Sequence, residues 1–146
     1  MGILELRTVD RVSVHATSTD SNAPVVSNPS EAAAVARAVL PTDREGFVVL
    51  HLDSRHRVRS IELVAVGTLN ATMIHPREVF KGAILANAAA VLVAHNHPSG
   101  DLTPSAEDRA ITSRLAEAGE ILGIEVIDHV IVTNEGYLSF EAERLL

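Results

Sequence analysis

The stretch Ala89-Ala90-Val91-Leu92-Val93-Ala94-His95-Asn96-His97-Pro98-Ser99-Gly100-Asp101-Leu102-Thr103-Pro104-Ser105-Ala106-Glu107-Asp108 decides how the chain is read. Residues Ala89 to Ala94 are continuously apolar, the pattern of a short strand buried on both faces in an α/β sheet. A loop is predicted from His95 to Thr103, bent by Pro98 and Gly100. Pro104 then opens the longest helix, which should end at Leu122 with Gly123 as its stop.

His95 and His97 stand two apart at the strand end, so both imidazoles point to the same side and can converge on one ion. The helix after Pro104 has an apolar stripe at Ile111, Leu115, Ala118 and Leu122. Stepping back in threes from Ile111 reaches Asp108 and then Ser105, which places both at the start of the core-facing stripe. A carboxylate there needs a charged or hydrogen-bonding partner, and a metal held by two histidines supplies one. Two histidines and a carboxylate leave a fourth position for water, which zinc makes acidic enough to ionise near neutral pH. Ser105 is placed to donate to an oxyanion. A carboxylate general base must come from elsewhere, and spacing alone does not choose it.

Working outward, Ile3 to Val14 alternates imperfectly and reads as an early strand, followed by a polar loop from Thr17 to Ser27. Asn28-Pro29-Ser30-Glu31 is a helix start, with Asn28 as cap, Pro29 in the first turn and Glu31 able to bond back. That helix is predicted to run to about Leu40. Strands are expected at Phe47 to Leu52 and Val58 to Val66, with a third extended stretch from Gly67-Thr68-Leu69-Asn70 to His75. Pro76 opens another helix. Ile124 to Thr133 is a strand, Asn134-Glu135-Gly136 a tight turn, and Tyr137 to Phe140 the return. Strands and helices in this mixed order predict an α/β or α+β sandwich, a mixed β-sheet flanked by helices. The expected division is an N-terminal strand and linker over 1–27 and one domain over 28–146.

Bulk properties narrow the chemistry. At 146 residues the chain suffices for one domain with a real core. It has no cysteine, which removes disulfides and thiolate metal sites and leaves His and carboxylates as the good zinc ligands. The net charge of −7, with Arg55, Arg57 and Arg59 as the one local basic cluster, speaks against a dedicated nucleic-acid binder. No apolar run approaches membrane-spanning length, and Met1 to Arg11 lacks a signal-peptide core, so a soluble, cytoplasmic protein is expected.

The central constellation resembles the JAMM motif, H-x-H followed by seven residues and then S-x-x-D, in every position. The wider chain, from about Asn28 to Leu146, resembles the bacterial RadC family. The matching segments are Gly67-Thr68-Leu69-Asn70, His75-Pro76-Arg77-Glu78-Val79-Phe80, His95 to Asp108, and Asp128-His129-Val130-Ile131-Val132. The resemblance implies an MPN (JAB) fold related to the cytidine-deaminase-like sandwiches, and one zinc ion held by His95, His97 and Asp108. It implies Ser105 as oxyanion support and a glutamate upstream of the metal as general base. Glu45, in Arg44-Glu45-Gly46-Phe47, fits that place best, with Glu62 as the rival.

The expected activity is therefore that of a zinc metalloprotease or isopeptidase acting on a protein or peptide. The alternatives are a RadC-type role in DNA repair or recombination and a non-catalytic MPN scaffold. The helix-hairpin-helix segment of longer RadC proteins is not in the sequence, which turns the expectation further from nucleic acid. Asn96 stands where eukaryotic deubiquitinases carry Ser or Thr, which turns it from a ubiquitin-like substrate. A homodimer is left open. His75 reads as a helix cap and His129 as a hydrogen-bonded core histidine, while Arg55, Arg57 and Arg59 read as a solvated strand edge.

Overall fold

The computed structural model describes residues 23–67 and 74–146. Three helices, α1 (Pro29–Arg37), α2 (Pro76–Leu85) and α3 (Ala106–Leu122), alternate with five strands. The strands are β1 (Gly46–Leu52), β2 (Val58–Val66), β3 (Ala90–Asn96), β4 (Glu125–Val132) and β5 (Tyr137–Ser139). They form one mixed sheet in the order β2-β1-β3-β4-β5. β3 and β4 run parallel, joined by α3, and the other neighbours are antiparallel. The fold is α+β, as the sequence pattern and the MPN resemblance imply.

Alternation along the two central strands sorts the core into two layers. Val48, Leu50, Leu52, Leu92 and Ala94 face α1, whose Ala32, Ala33 and Ala36 allow close approach. Phe47, Val49, Val91 and Val93 face α2 and α3, where they meet Val79, Phe80, Ala83, Ile111 and Leu115. Every residue of β1 and β3 is buried, as the unbroken apolar run around Val91 predicts. His95 belongs by parity to the α3 face, and Asn96 to the α1 face.

Several boundaries differ from the sequence reading, for reasons that lie outside local pattern. β3 continues through His95 and Asn96, so the loop begins at His97 instead of His95; pairing with β4 through Asn96 and Val132 holds both in the sheet. α3 begins at Ala106 rather than Pro104, because Ser105 takes the capping position. α1 stops at Arg37, and the amides of Val39 and Leu40 both bond back to Ala36 as the chain turns. Glu31 bonds back to the Ser27 amide at 2.7 Å while Asn28 caps the Glu31 amide at 2.9 Å. His75 caps α2, its Nδ1 accepting from the Arg77 amide at 3.1 Å.

Residues just before α1 pack on the sheet, with Val25 bridging to Arg57 and the Val26 amide bonded to His56. Arg57 is half-buried and donates to the Ala23 carbonyl at 3.1 Å, so it fastens this segment instead of lying free on an edge. The expected strand from Ile3 to Val14 lies outside the described residues, as does most of the extended stretch before His75. Among the described residues, no helix is long and apolar enough to cross a membrane.

Candidate metal centre

The end of β3 and the first turn of α3 meet on one face of the sheet. There His95, His97 and Asp108 each offer a ligand atom, all within 4.8 Å of one another. The His95 and His97 Nε2 atoms are 2.9 Å apart. Asp108 Oδ1 lies 3.2 Å from His95 Nε2, and its Oδ2 lies 3.3 Å from His97 Nε2. His95 is buried, its ring stacked on Phe47 at a centroid distance of 6.2 Å. His97 and Asp108 keep side-chain exposures of 13% each, so the site opens to solvent on their side.

Hydrogen bonding decides which nitrogen of each imidazole carries its proton. A backbone carbonyl can only accept, so His97 Nδ1, 2.7 Å from the Asp101 carbonyl, must be the protonated nitrogen. Its Nε2 therefore turns a lone pair to the centre. His95 is fixed by a longer chain. Thr112 Oγ1 donates to the Asp108 carbonyl at 2.7 Å, so its oxygen accepts from His129 Nδ1 at 2.5 Å. Burial pushes the His129 imidazole far below its ordinary pKa and keeps it neutral. His129 Nε2 then carries a lone pair that accepts from His95 Nδ1 at 2.7 Å, and His95 Nε2 is also left with a lone pair. Each ligand imidazole thus has a partner on its far nitrogen, the arrangement that orients metal-binding histidines.

Asp108 is held by the helix it starts. Its Oδ2 accepts from the Ser105 amide at 2.8 Å, while Ser105 Oγ accepts from the Asp108 amide at 3.0 Å. This reciprocal capping box fixes the carboxylate at the mouth of α3. Burial by itself raises the Asp108 carboxyl, but when the imidazoles carry a proton on the nitrogen facing it, their hydrogen bonds outweigh burial and hold the group far below the usual carboxylate range. An ionised carboxylate and two converging lone pairs repel one another unless a cation stands among them. A proton meets part of that need, and His97 is pushed up, first by its hydrogen bond to Asp108 and further by the charge of Glu45. A metal ion can meet all of it, and the donor set fits one.

The two glutamates lie in different places. The β1–β3 register ends where Phe47 pairs with His95, and Glu45 stands just before β1, two residues from that last rung. Its charge reaches His97, whose pKa it helps to raise. Glu62 is buried on β2 opposite Val49, beneath α2, where a side chain at Gly82 would collide with its carboxylate and press on His51. Ser105 is exposed at the helix cap instead of inward on the stripe, yet it adjoins Asp108. His129 is legible in the sequence only as a hydrogen-bonded core residue, and Thr112 gives no signal, because nothing in the sequence says that β4 lies beside β3.

Residues 26–145 match the family model described as RadC-like JAB domain. The chain belongs to the RadC-like JAB domain family. A "UPF0758 protein" of Rubrobacter xylanophilus is 51% identical over 124 residues, covering 84% of this chain and 54% of the relative. One from Desulforudis audaxviator is 49% identical over 123 residues, with the same coverage. One from Thermotoga maritima is 54% identical over 101 residues, covering 69% of this chain and 46% of the relative. The chain spans about half the length of the curated relatives it matches. Membership in the RadC-like JAB domain family points to a JAMM-like, metal-dependent hydrolase fold, and a His-His-Asp set that could hold a metal ion is assembled here.

Proposed function

We propose that this chain is a zinc-dependent hydrolase that cleaves a peptide or isopeptide bond in a protein or peptide. The observation that carries the reading is the convergence of two imidazole lone pairs and an ionised carboxylate beside a second, separate carboxylate, Glu45. His95, His97 and Asp108 would hold the ion, and three protein ligands leave a coordination position for water, as in catalytic zinc sites. Zinc so bound supplies Lewis-acid activation of a water and of the scissile carbonyl.

The chain's own groups do the rest. Glu45, whose charge reaches His97, accepts the proton of the attacking water and passes it to the departing amine. Ser105 Oγ accepts from the Asp108 amide, which leaves its hydroxyl hydrogen free to donate to the oxyanion that develops on the carbonyl. Phe47, stacked on His95, and Phe140, stacked on His129 at 4.5 Å, pack apolar surface behind His95 and its outer partner. The burial of Glu62 beneath α2 supports Glu45 over it as the base.

The test is metal analysis of the purified chain, followed by cleavage profiling on a peptide library for wild type and Glu45→Gln. A single zinc ion per chain in both, with cleavage lost in the variant, is expected. Wild type without zinc, or a variant that still cleaves, would overturn the reading.

A further inference from the structure

Asn96 sits between the two metal-binding histidines, buried and pointing to the opposite face of the sheet. Its side chain is saturated. Its Oδ1 accepts from the Gly46 amide at 2.7 Å, and its Nδ2 donates to the Pro41 carbonyl at 2.7 Å and the Arg44 carbonyl at 2.9 Å. An amide donor needs an acceptor and two carbonyls need donors, so the orientation of this amide is unambiguous. These contacts gather the loop between α1 and β1, and Glu45 lies inside that loop.

Main-chain pairing between β1 and β3 reaches its last rung at Phe47 and His95. Beyond it, the Asn96 side chain takes over the partners that a further rung would have served. Three successive residues are thereby tied by their main chain. The Arg44 carbonyl and the Gly46 amide are held by Asn96, and the Glu45 carbonyl accepts from the Gly67 amide at 2.8 Å. The loop is also pressed close, since a Cβ on Gly46 would lie 2.6 Å from Pro41 Cδ. Gly46 is the residue that lets Pro41 tuck beneath the strand within reach of the Asn96 amide.

Resting on the reading of Glu45 as general base, we infer that Asn96 is a positioning residue that holds Glu45 in register with His97. Beyond the last main-chain rung, this side chain joins the strand that presents the histidines to the loop that presents the base. No other side chain of that length offers one acceptor and two donors. Aspartate offers only acceptors when ionised and would face two carbonyls; serine cannot reach all three groups.

Amide hydrogen exchange of the zinc-loaded, isotopically labelled chain tests this without any substrate. The Gly46 amide and the Asn96 side-chain amide protons should exchange slowly in wild type. In Asn96→Ala and Asn96→Ser, Gly46 exchange should rise by roughly tenfold or more, as loss of one buried hydrogen bond implies, with zinc content retained. With a peptide from the cleavage profile, both variants should lower kcat with little change in KM. Adding either to Glu45→Gln should cost nothing further, the coupling expected when one residue acts through the other. Fast exchange of Gly46 in wild type, unchanged exchange in a folded variant, or additive losses in the double variants would overturn the inference. Failure of the hydrolase reading has a different signature, a wild-type chain that binds no zinc or a Glu45→Gln variant that still cleaves, and neither alters the exchange result.

Discussion

His95 Nδ1 and His129 Nε2 lie 2.7 Å apart, joining a candidate ligand on β3 to a buried imidazole on β4. The bond continues through Thr112 to the backbone carbonyl of Asp108, so two of the three candidate ligand residues are tied by one chain of hydrogen bonds. The chain fixes which nitrogen of His95 is available.

Removing that relay should weaken metal binding without unfolding the protein. His129→Phe keeps an aromatic ring beside Phe140 but cannot accept from His95, and Thr112→Val removes the hydroxyl. Each is expected to lower zinc affinity by about 10–100-fold, the usual cost of losing an outer partner. Competition titration against a chromophoric chelator measures it, and wild-type affinity in both variants would refute the relay.

Asp108→Asn separates the capping and ligand roles of one side chain. The amide oxygen can still accept from the Ser105 amide, so α3 should keep its start and the thermal midpoint should stay within a few degrees. The charge that balances an ion is gone, and zinc affinity should fall more than about 100-fold, beyond the cost of an outer partner. Equal zinc titrations for variant and wild type would remove Asp108 from the ligand set.

The Asp128 carboxyl is pushed above its ordinary value of 3.8 by burial, despite hydrogen bonds from Ser139 Oγ, the Glu141 amide and the His129 amide. Its folded pKa thus exceeds its unfolded one. Its contribution to stability is complete below 3.8 and is lost as pH rises through the raised value. Asn at this position cannot ionise, so the thermal midpoint of Asp128→Asn should gain on wild type as pH rises through that window. A carbon-13 titration that puts the Asp128 carboxyl at or below 3.8 would contradict this.

Gly119→Ala sets two effects against each other. Alanine gains about 1 kcal/mol of helix propensity over glycine in mid-helix. Here, however, the added Cβ would lie 2.5 Å from the Ile124 carbonyl oxygen and 3.3 Å from Phe80 Cζ. The carbonyl belongs to the chain entering β4 and cannot turn aside, so overpacking of about 1–3 kcal/mol should win. Denaturant unfolding should show net destabilisation, and a more stable variant would mean that α3 sits farther from the sheet.

The sheet, the three helices and the coming together of His95, His97 and Asp108 were legible because each rests on local pattern: the run around Val91, the cap residues Asn28 and His75, and the spacing from His95 to Asp108. Local pattern could not place strand ends. His95 and Asn96 read as loop because pairing with β4 is a long-range fact. Spacing alone does not tell Glu45 from Glu62 as candidate base; the fold puts Glu45 just before β1 and buries Glu62 in β2 beneath α2, and both places depend on long-range packing. His129 was read as a hydrogen-bonded core residue, which it is. That its partner is a ligand of the candidate centre follows from strand order alone.

The capping box at Ser105 and Asp108 has a consequence for exchange of an ion with solution. Two candidate ligands stand on or just past a central strand that opens only when the sheet does, whereas the third stands on a terminal helical turn, the kind of place that frays most readily. The two holding points therefore have unequal lifetimes. An ion would come and go at the pace of that single turn, with the histidines waiting in position, and occupancy would in return slow the fraying of α3.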